Sequence, residues 1–222
     1  MPTDSLPIPV YFMPGMSANP LIFEKIILPE DRFSMHFLEW KMPVVDEPLK
    51  IYSARIAQEI THENPVLLGV SFGGIIAQEI SKIISIRKLI IISSVKSNRE
   101  FPKKFKFAQL TRAHKLFPTG LIANMAILHN LAFGDNFKKK LISYEKYLTV
   151  RDKIYLDWAI NAIVNWNQEE PLKNIIHIHG TEDLIFPASN IKDYLEIKGG
   201  DHAMILSKAK WFKEHLPEII LE

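Results

Sequence analysis

Residues 66–80 read VLLGVSFGGIIAQEI, an apolar run broken by three glycines and one serine. VLLG has the character of a buried strand and GGIIAQEI that of a buried helix. Ser71 stands at the junction, inside the pattern G-x-S-x-G formed by Gly69, Ser71 and Gly73. A sharp strand-to-helix turn of this kind holds its serine at strained backbone angles, and a glycine two residues to either side relieves the crowding. The hydroxyl is then lifted clear of the sheet at a helix N-terminus. There the N–H of Phe72 faces the same space and the helix dipole favours developing negative charge. The plainer reading is a tight βα turn with a small residue at its apex, and the rest of the chain decides between the two.

Outward from this turn, short apolar runs recur at Ile8 to Met13, Phe33 to Trp40, Pro65 to Leu68, Leu89 to Ile92, Ile175 to His179 and Tyr194 to Ile197. Near-continuous apolar runs of this length predict strands covered on both faces, as in a parallel sheet. Helical patterns lie between several of them. Leu49, Tyr52, Ile56 and Ile60 follow i, i+3, i+4 spacing behind Asp46 as N-cap and Pro48 in the first turn, and Ile75 to Ile84 forms a second helix. Asn19-Pro20 opens a short third one over Leu21 to Ile26. Strands alternating with helices predict an α/β sheet with right-handed crossovers.

The rhythm changes after Ser94. From Val95 to about Glu170 the pattern is helical, in LFPTGLIANMAILHNLAF, KKKLISYEKYL and IYLDWAINAIVNW. Residues 99–170 also carry 12 Lys or Arg against 7 Asp or Glu. The expectation is one domain, with residues 1–97 and 171–222 forming an α/β core and residues 98–170 a helical cap inserted into it.

Composition narrows the function classes. The 222 residues are 47% hydrophobic and 23% charged, which fits a globular core. A formal charge of +2 is mild and gives no reason to expect a nucleic-acid partner, which would want a concentrated basic face. The absence of cysteine removes disulfides, thiolate metal sites and cysteine nucleophiles. MPTDSLPIPVYF has neither the basic n-region nor the apolar h-region of a signal peptide, and no apolar stretch approaches membrane-spanning length. A cytoplasmic protein is the expectation.

A serine hydroxyl is a poor nucleophile near neutral pH and needs a base, which in turn needs an orienting partner. Both stand at strand ends. Asp183 follows the strand IIHIH in GTEDLIFP, and His202 follows YLEI in KGGDHAMIL. Groups that face a ligand in open α/β sheets collect at these carboxyl ends. With G-x-S-x-G, HGTEDLIFP at 179–187 and GGDH at 199–202, nearly the whole chain resembles the α/β-hydrolase superfamily. That resemblance implies an α/β-hydrolase fold, with a mainly parallel sheet of about six strands flanked by helices and topped by a helical cap. It also implies Ser71, Asp183 and His202 as catalytic residues.

Two features depart from the pattern. Where many members carry His-Gly after the first core strand, this chain has Met13-Pro14-Gly15-Met16. A backbone donor does not need the histidine, so Met16 N–H is expected to join Phe72 N–H in the oxyanion hole. Only 19 positions separate Asp183 from His202, so the helix between them must be short or lost. The sequence shows no obvious leading hairpin before Val10, so a trimmed sheet of about six strands is expected.

Other candidates rank lower. Asp201 and Glu182 neighbour the triad positions, but adjacent side chains diverge. His177 and His179 share a strand face without an obvious third ligand, so a hydrogen-bonding role is expected rather than a metal site. His36, His62, His114, His129 and His215 have no partner legible in sequence. Lys138, Lys139 and Lys140, with Lys103, Lys104 and Lys106, read as solvated helix faces. Phe107, Leu116, Phe117, Met125, Leu128, Trp158, Ile163 and Trp166 read as core or cap packing.

The expected function is hydrolysis of a small or medium carboxylic ester or thioester, a small-molecule acyl substrate, through an acyl-enzyme on Ser71, with no cofactor and no metal. The alternatives are a lyase or acyltransferase using the same triad, or a non-catalytic protein that binds a small ligand.

Overall fold

The computed structural model describes residues 6–112 and 144–222. Six strands form one sheet: β1 (Ile8–Met13), β2 (Phe33–Phe37), β3 (Val66–Val70), β4 (Lys88–Ile92), β5 (Ile175–Gly180) and β6 (Leu195–Ile197). Their order is β2-β1-β3-β4-β5-β6 and every pairing is parallel. The expected six-stranded parallel sheet is therefore present. Among the described residues the helices are α1 (Leu49–Ala57), α2 (Phe72–Ser81), α3 (Lys103–Thr111), α4 (Lys153–Val164), α5 (Met204–Ser207) and α6 (Ala209–Leu221).

The apolar runs are continuous because both sheet faces are covered. Strand residues point alternately to opposite faces. Leu67, Leu89 and Ile91 pack with Tyr52 and Ile56 of α1 and with Ile75 and Ile76 of α2. On the other face Val66, Leu68, Ile90 and Ile92 pack with Phe212, Leu216 and Ile220 of α6. Ile90 is wholly buried, and its truncation to alanine costs about 2–5 kcal/mol at a site of this kind.

Several boundaries differ from the sequence reading. Helix α1 begins after Pro48, whose extended backbone makes it the cap residue, and Asp46 lies in a turn with φ 55°. The helix also ends at Ala57, before Ile60, as its last bonds tighten to Glu59 N–H to Ile56 O and Ile60 N–H to Ala57 O. Strand β2 stops at Phe37 rather than Trp40. Asn19 does cap a helical turn, accepting from Leu21 N–H at 2.9 Å, but the turn spans only Pro20–Phe23.

Between β4 and β5 the described residues hold α3, α4 and short 3-10 turns, joined to the core by an isolated antiparallel bridge between Ala18 and Leu148. The stretch LFPTGLIANMAILHNLAF, with Leu116, Phe117, Met125, Leu128 and His129, lies outside the described residues, as do His114 and Lys138 to Lys140. Trp158, Ile163 and Trp166 are buried as expected. Phe107 is not: it is 64% exposed on α3, a helix that buries none of its residues. No helix among the described residues is long and apolar enough to cross a membrane.

Candidate active site

The turn between β3 and α2 holds Ser71 at φ 53° and ψ −119°, a conformation that costs a non-glycine residue about 1–3 kcal/mol. Its surroundings pin it there. Ser71 N–H donates to Ile92 O at 2.9 Å, and the Ser94 hydroxyl donates to Ser71 O at 2.8 Å. The flanking glycines are required by close approach. A Cβ on Gly69 would stand 2.3 Å from Gly73 O, and one on Gly73 would stand 2.4 Å from the carbonyl oxygens of both Met13 and Pro14. Glycine at 73 thus lets the loop after β1 lie directly on the serine turn.

Asp183 and His202 come from the loops after β5 and β6, which are laced together. Thr181 N–H donates to Ile197 O at 3.1 Å, Glu182 N–H to Gly200 O at 2.9 Å, and Gly199 N–H to the Thr181 hydroxyl at 2.9 Å. The segment between β5 and β6 contains a 3-10 turn, Ala188–Asn190, where a longer helix was expected to be shortened or lost.

The three side chains meet in one line. His202 Nε2 is 2.9 Å from Ser71 Oγ, and His202 Nδ1 is 2.8 Å from Asp183 Oδ2. An ionised carboxylate only accepts, so the proton of the neutral imidazole sits on Nδ1 and the lone pair of Nε2 faces the serine hydroxyl. The other carboxylate oxygen, Oδ1, accepts from Ile185 N–H at 2.8 Å and Phe186 N–H at 2.9 Å. Burial alone would raise the Asp183 carboxyl. The hydrogen bond with His202, the Phe186 N–H and the positive charge that His202 and His179 carry when protonated outweigh it and hold the group below its ordinary value.

The demoted neighbours lie apart from this line. Glu182 is exposed, and Asp201 accepts from the Ser207 hydroxyl at 3.2 Å. His179 Nε2 donates to Phe186 O at 2.8 Å, which ties β5 to the acid loop. His177 packs edge-on against it, with ring centroids 5.0 Å apart. Burial pushes both imidazoles down, His177 well below its ordinary value. Among the described residues no group of three or more His, Asp or Glu is arranged to hold a metal ion.

Ser71 and His202 open into a cavity of about 740 Å³. Its walls are overwhelmingly apolar and include Ile22 and Val70 from the core, Ile205 from α5, and Tyr147, Leu148 and Ile163 from the segment between β4 and β5. Gly15 and Met16 line it beside the serine, and Phe72, the first residue of α2, lies directly behind. The first N–H groups of a helix have no partner within it, so the Phe72 end of α2 suits a negatively charged oxygen.

Ser94, which ties down the serine turn, was missed in the sequence reading. Ser94 had one signal, a Ser93-Ser94 pair closing an apolar strand. Tyr11, His36 and His62 form a separate cluster, with the Tyr11 hydroxyl 2.7 Å from His62 Nδ1 and the Tyr11 and His36 rings stacked at 4.8 Å. His215 Nδ1 lies 2.9 Å from Trp211 O on the surface of α6.

No protein-family model matches the chain, and no curated protein matches its sequence. Solved structures do match in shape. The enol-lactonase from Burkholderia xenovorans LB400 has a TM-score of 0.71 at 11% identity, covering 98% of this chain and 93% of that one. A carboxylesterase structure from the ammonia-oxidizing thaumarchaeon Nitrososphaera gargenis has a TM-score of 0.70 at 15% identity, covering 97% and 90%. The RedJ thioesterase from the prodiginine pathway of Streptomyces coelicolor has a TM-score of 0.63 at 15% identity, covering 98% and 87%. With its six parallel strands, its serine turn after β3 and these full-length likenesses, the chain has the α/β-hydrolase fold.

Proposed function

We propose that the protein is a serine hydrolase that cleaves a small or medium carboxylic ester or thioester through an acyl-enzyme on Ser71. The observation that carries this reading is the hydrogen-bonded line Ser71–His202–Asp183 at the wall of an apolar cavity. His202 Nε2 takes the serine proton as Oγ attacks the acyl carbon. Asp183 holds the imidazole in the required tautomer and stabilises its charged form. The N–H groups of Phe72 and Met16 receive the developing oxyanion, an effect worth about 3–4 kcal/mol per donor. The protonated imidazole passes its proton to the leaving alcohol or thiol. It then takes a proton from water as the hydroxide attacks the acyl carbon; the bond to Oγ breaks, the imidazole returns that proton to Oγ, and the acid leaves with Ser71 restored.

The apolar walls favour an acyl group without charge, because an unpaired charge there would lose its hydration without compensation. Residues 98–170 act in this reading as the cap, closing the site from water and selecting the acyl group. The structural neighbours that are named as esterases or a thioesterase support the reaction class.

Activity profiling across acyl esters, thioesters and amides, with Ser71→Ala as control, tests the reading. Turnover of at least one ester or thioester that disappears in Ser71→Ala supports it. Turnover that survives in Ser71→Ala contradicts it. Acylation of Ser71 with release only to a non-water acceptor indicates an acyltransferase instead.

A further inference from the structure

We propose that Trp40 is a positioning residue for the oxyanion site, its indole fixing the Gly15–Met16 peptide and bracing Phe72 at the same time. This proposal rests on the serine-hydrolase reading above and deepens it. The Trp40 Nε1–H donates to Gly15 O at 2.9 Å, and Ala18 N–H donates to the same oxygen at 3.0 Å. Two donors occupy both lone pairs of that carbonyl and fix the plane of the peptide. The peptide is trans, so the Met16 N–H points opposite to the anchored Gly15 C=O, away from Trp40.

Gly15 lies against the nucleophile. A Cβ built on it would touch Ser71 Cβ and Val70 O, each at 3.5 Å. Small rotations of the Gly15–Met16 peptide therefore change where a donor sits relative to the attacked carbonyl. The same indole stacks on the Phe72 ring, with centroids 5.1 Å apart and planes 11° from parallel. One side chain thus touches Phe72 and the carbonyl of the peptide that carries the Met16 N–H, the two donors assigned to the oxyanion. Tyr155 tilts against the indole at 5.4 Å and limits its rotation.

Beyond Met16 the loop has separate ties. Val150 N–H donates to Ser17 O at 3.0 Å and Asn19 N–H to Tyr147 O at 2.8 Å. Loss of the indole N–H therefore leaves Gly15 O held by Ala18 N–H alone and loosens the Gly15–Met16 peptide, while the rest of the loop stays anchored.

Two replacements separate hydrogen bonding from packing: Trp40→Phe, and Trp40 exchanged for β-(3-benzothienyl)alanine, which keeps the bicyclic ring and puts sulfur where the N–H was. Removing an oxyanion donor outright costs roughly 10²–10³ in kcat, and loosening one should cost about tenfold. The expected result is that fall in kcat with KM within about twofold. Affinity for a trifluoromethyl ketone analogue of the best ester should drop by the same factor, with the pH profile unchanged in both and Tm unchanged in the benzothienyl protein. Unchanged kcat and analogue affinity in the benzothienyl protein overturn the proposal. So does a kcat loss that appears only alongside a matching fall in Tm. If turnover persists in Ser71→Ala, the serine-hydrolase reading itself fails. Ser71-dependent turnover that ignores the Trp40 replacements removes the Trp40 assignment alone.

Discussion

His202 Nε2 lies 2.9 Å from the Ser71 hydroxyl oxygen although 131 positions separate the two residues in the chain. Only the ordering of two strand ends in one parallel sheet brings them together. If this contact is the proton-transfer path, His202→Ala should lower kcat by roughly 10⁴–10⁶-fold with little change in KM. The imidazole is 29% exposed, so the fold should survive its loss. Steady-state kinetics together with far-UV circular dichroism check both parts.

Asp183→Asn keeps the shape of the acid but offers an amide where His202 Nδ1 now finds an acceptor. The imidazole is then free to adopt the wrong tautomer, and kcat should fall by about 10⁴-fold. The same substitution has a stability signature. The folded carboxyl titrates below its ordinary value, so its contribution is present above that value and is lost as pH falls through the folded one. Urea melts of native protein and Asp183→Asn across the acid range should show a shallower pH dependence in the variant.

Strain at the serine predicts opposite effects on stability and activity. Glycine adopts φ 53° and ψ −119° without the penalty that serine or alanine carries. Ser71→Gly should therefore be more stable than Ser71→Ala by about 1 kcal/mol, and both should be inactive. Equal melting temperatures for the two variants would show that the turn is relaxed.

His177 sits 2% exposed on β5 and burial holds its imidazole well below the ordinary value, so it stays neutral in the folded protein. The unfolded chain gains a proton on this residue below about pH 6.5. More protons bound in the unfolded state means that stability rises with pH up to that point and levels off above it. His177→Phe should flatten the slope between about pH 5 and 6.5 in denaturant titrations. An unchanged slope would place the titrating group elsewhere.

Much of the site was legible because its chemistry coincides with backbone requirements. Gly69 and Gly73 are dictated by approaches of 2.3–2.4 Å that no side chain could share, and that need leaves a motif. Asp183 and His202 follow apolar strands closely enough for their strand-end positions to be read directly. Trp40 left no such mark: its partner is a backbone oxygen 25 residues earlier, and a carbonyl has no residue identity. The Tyr11–His36–His62 cluster was equally silent, because its members sit on β1, β2 and the loop after α1 and meet only through the sheet order. Asp46 misled because aspartate favours both N-caps and left-handed turns, and here the turn prevails, with φ 55°.

Labelling by a fluorophosphonate ester, read by mass spectrometry of the modified peptide, reports whether Ser71 is a nucleophile activated by His202. The expectation is a single adduct on Ser71 that is abolished in Ser71→Ala and slowed at least a thousandfold in His202→Ala. An adduct on another residue, or labelling of Ser71 at an unchanged rate in folded His202→Ala, would contradict it.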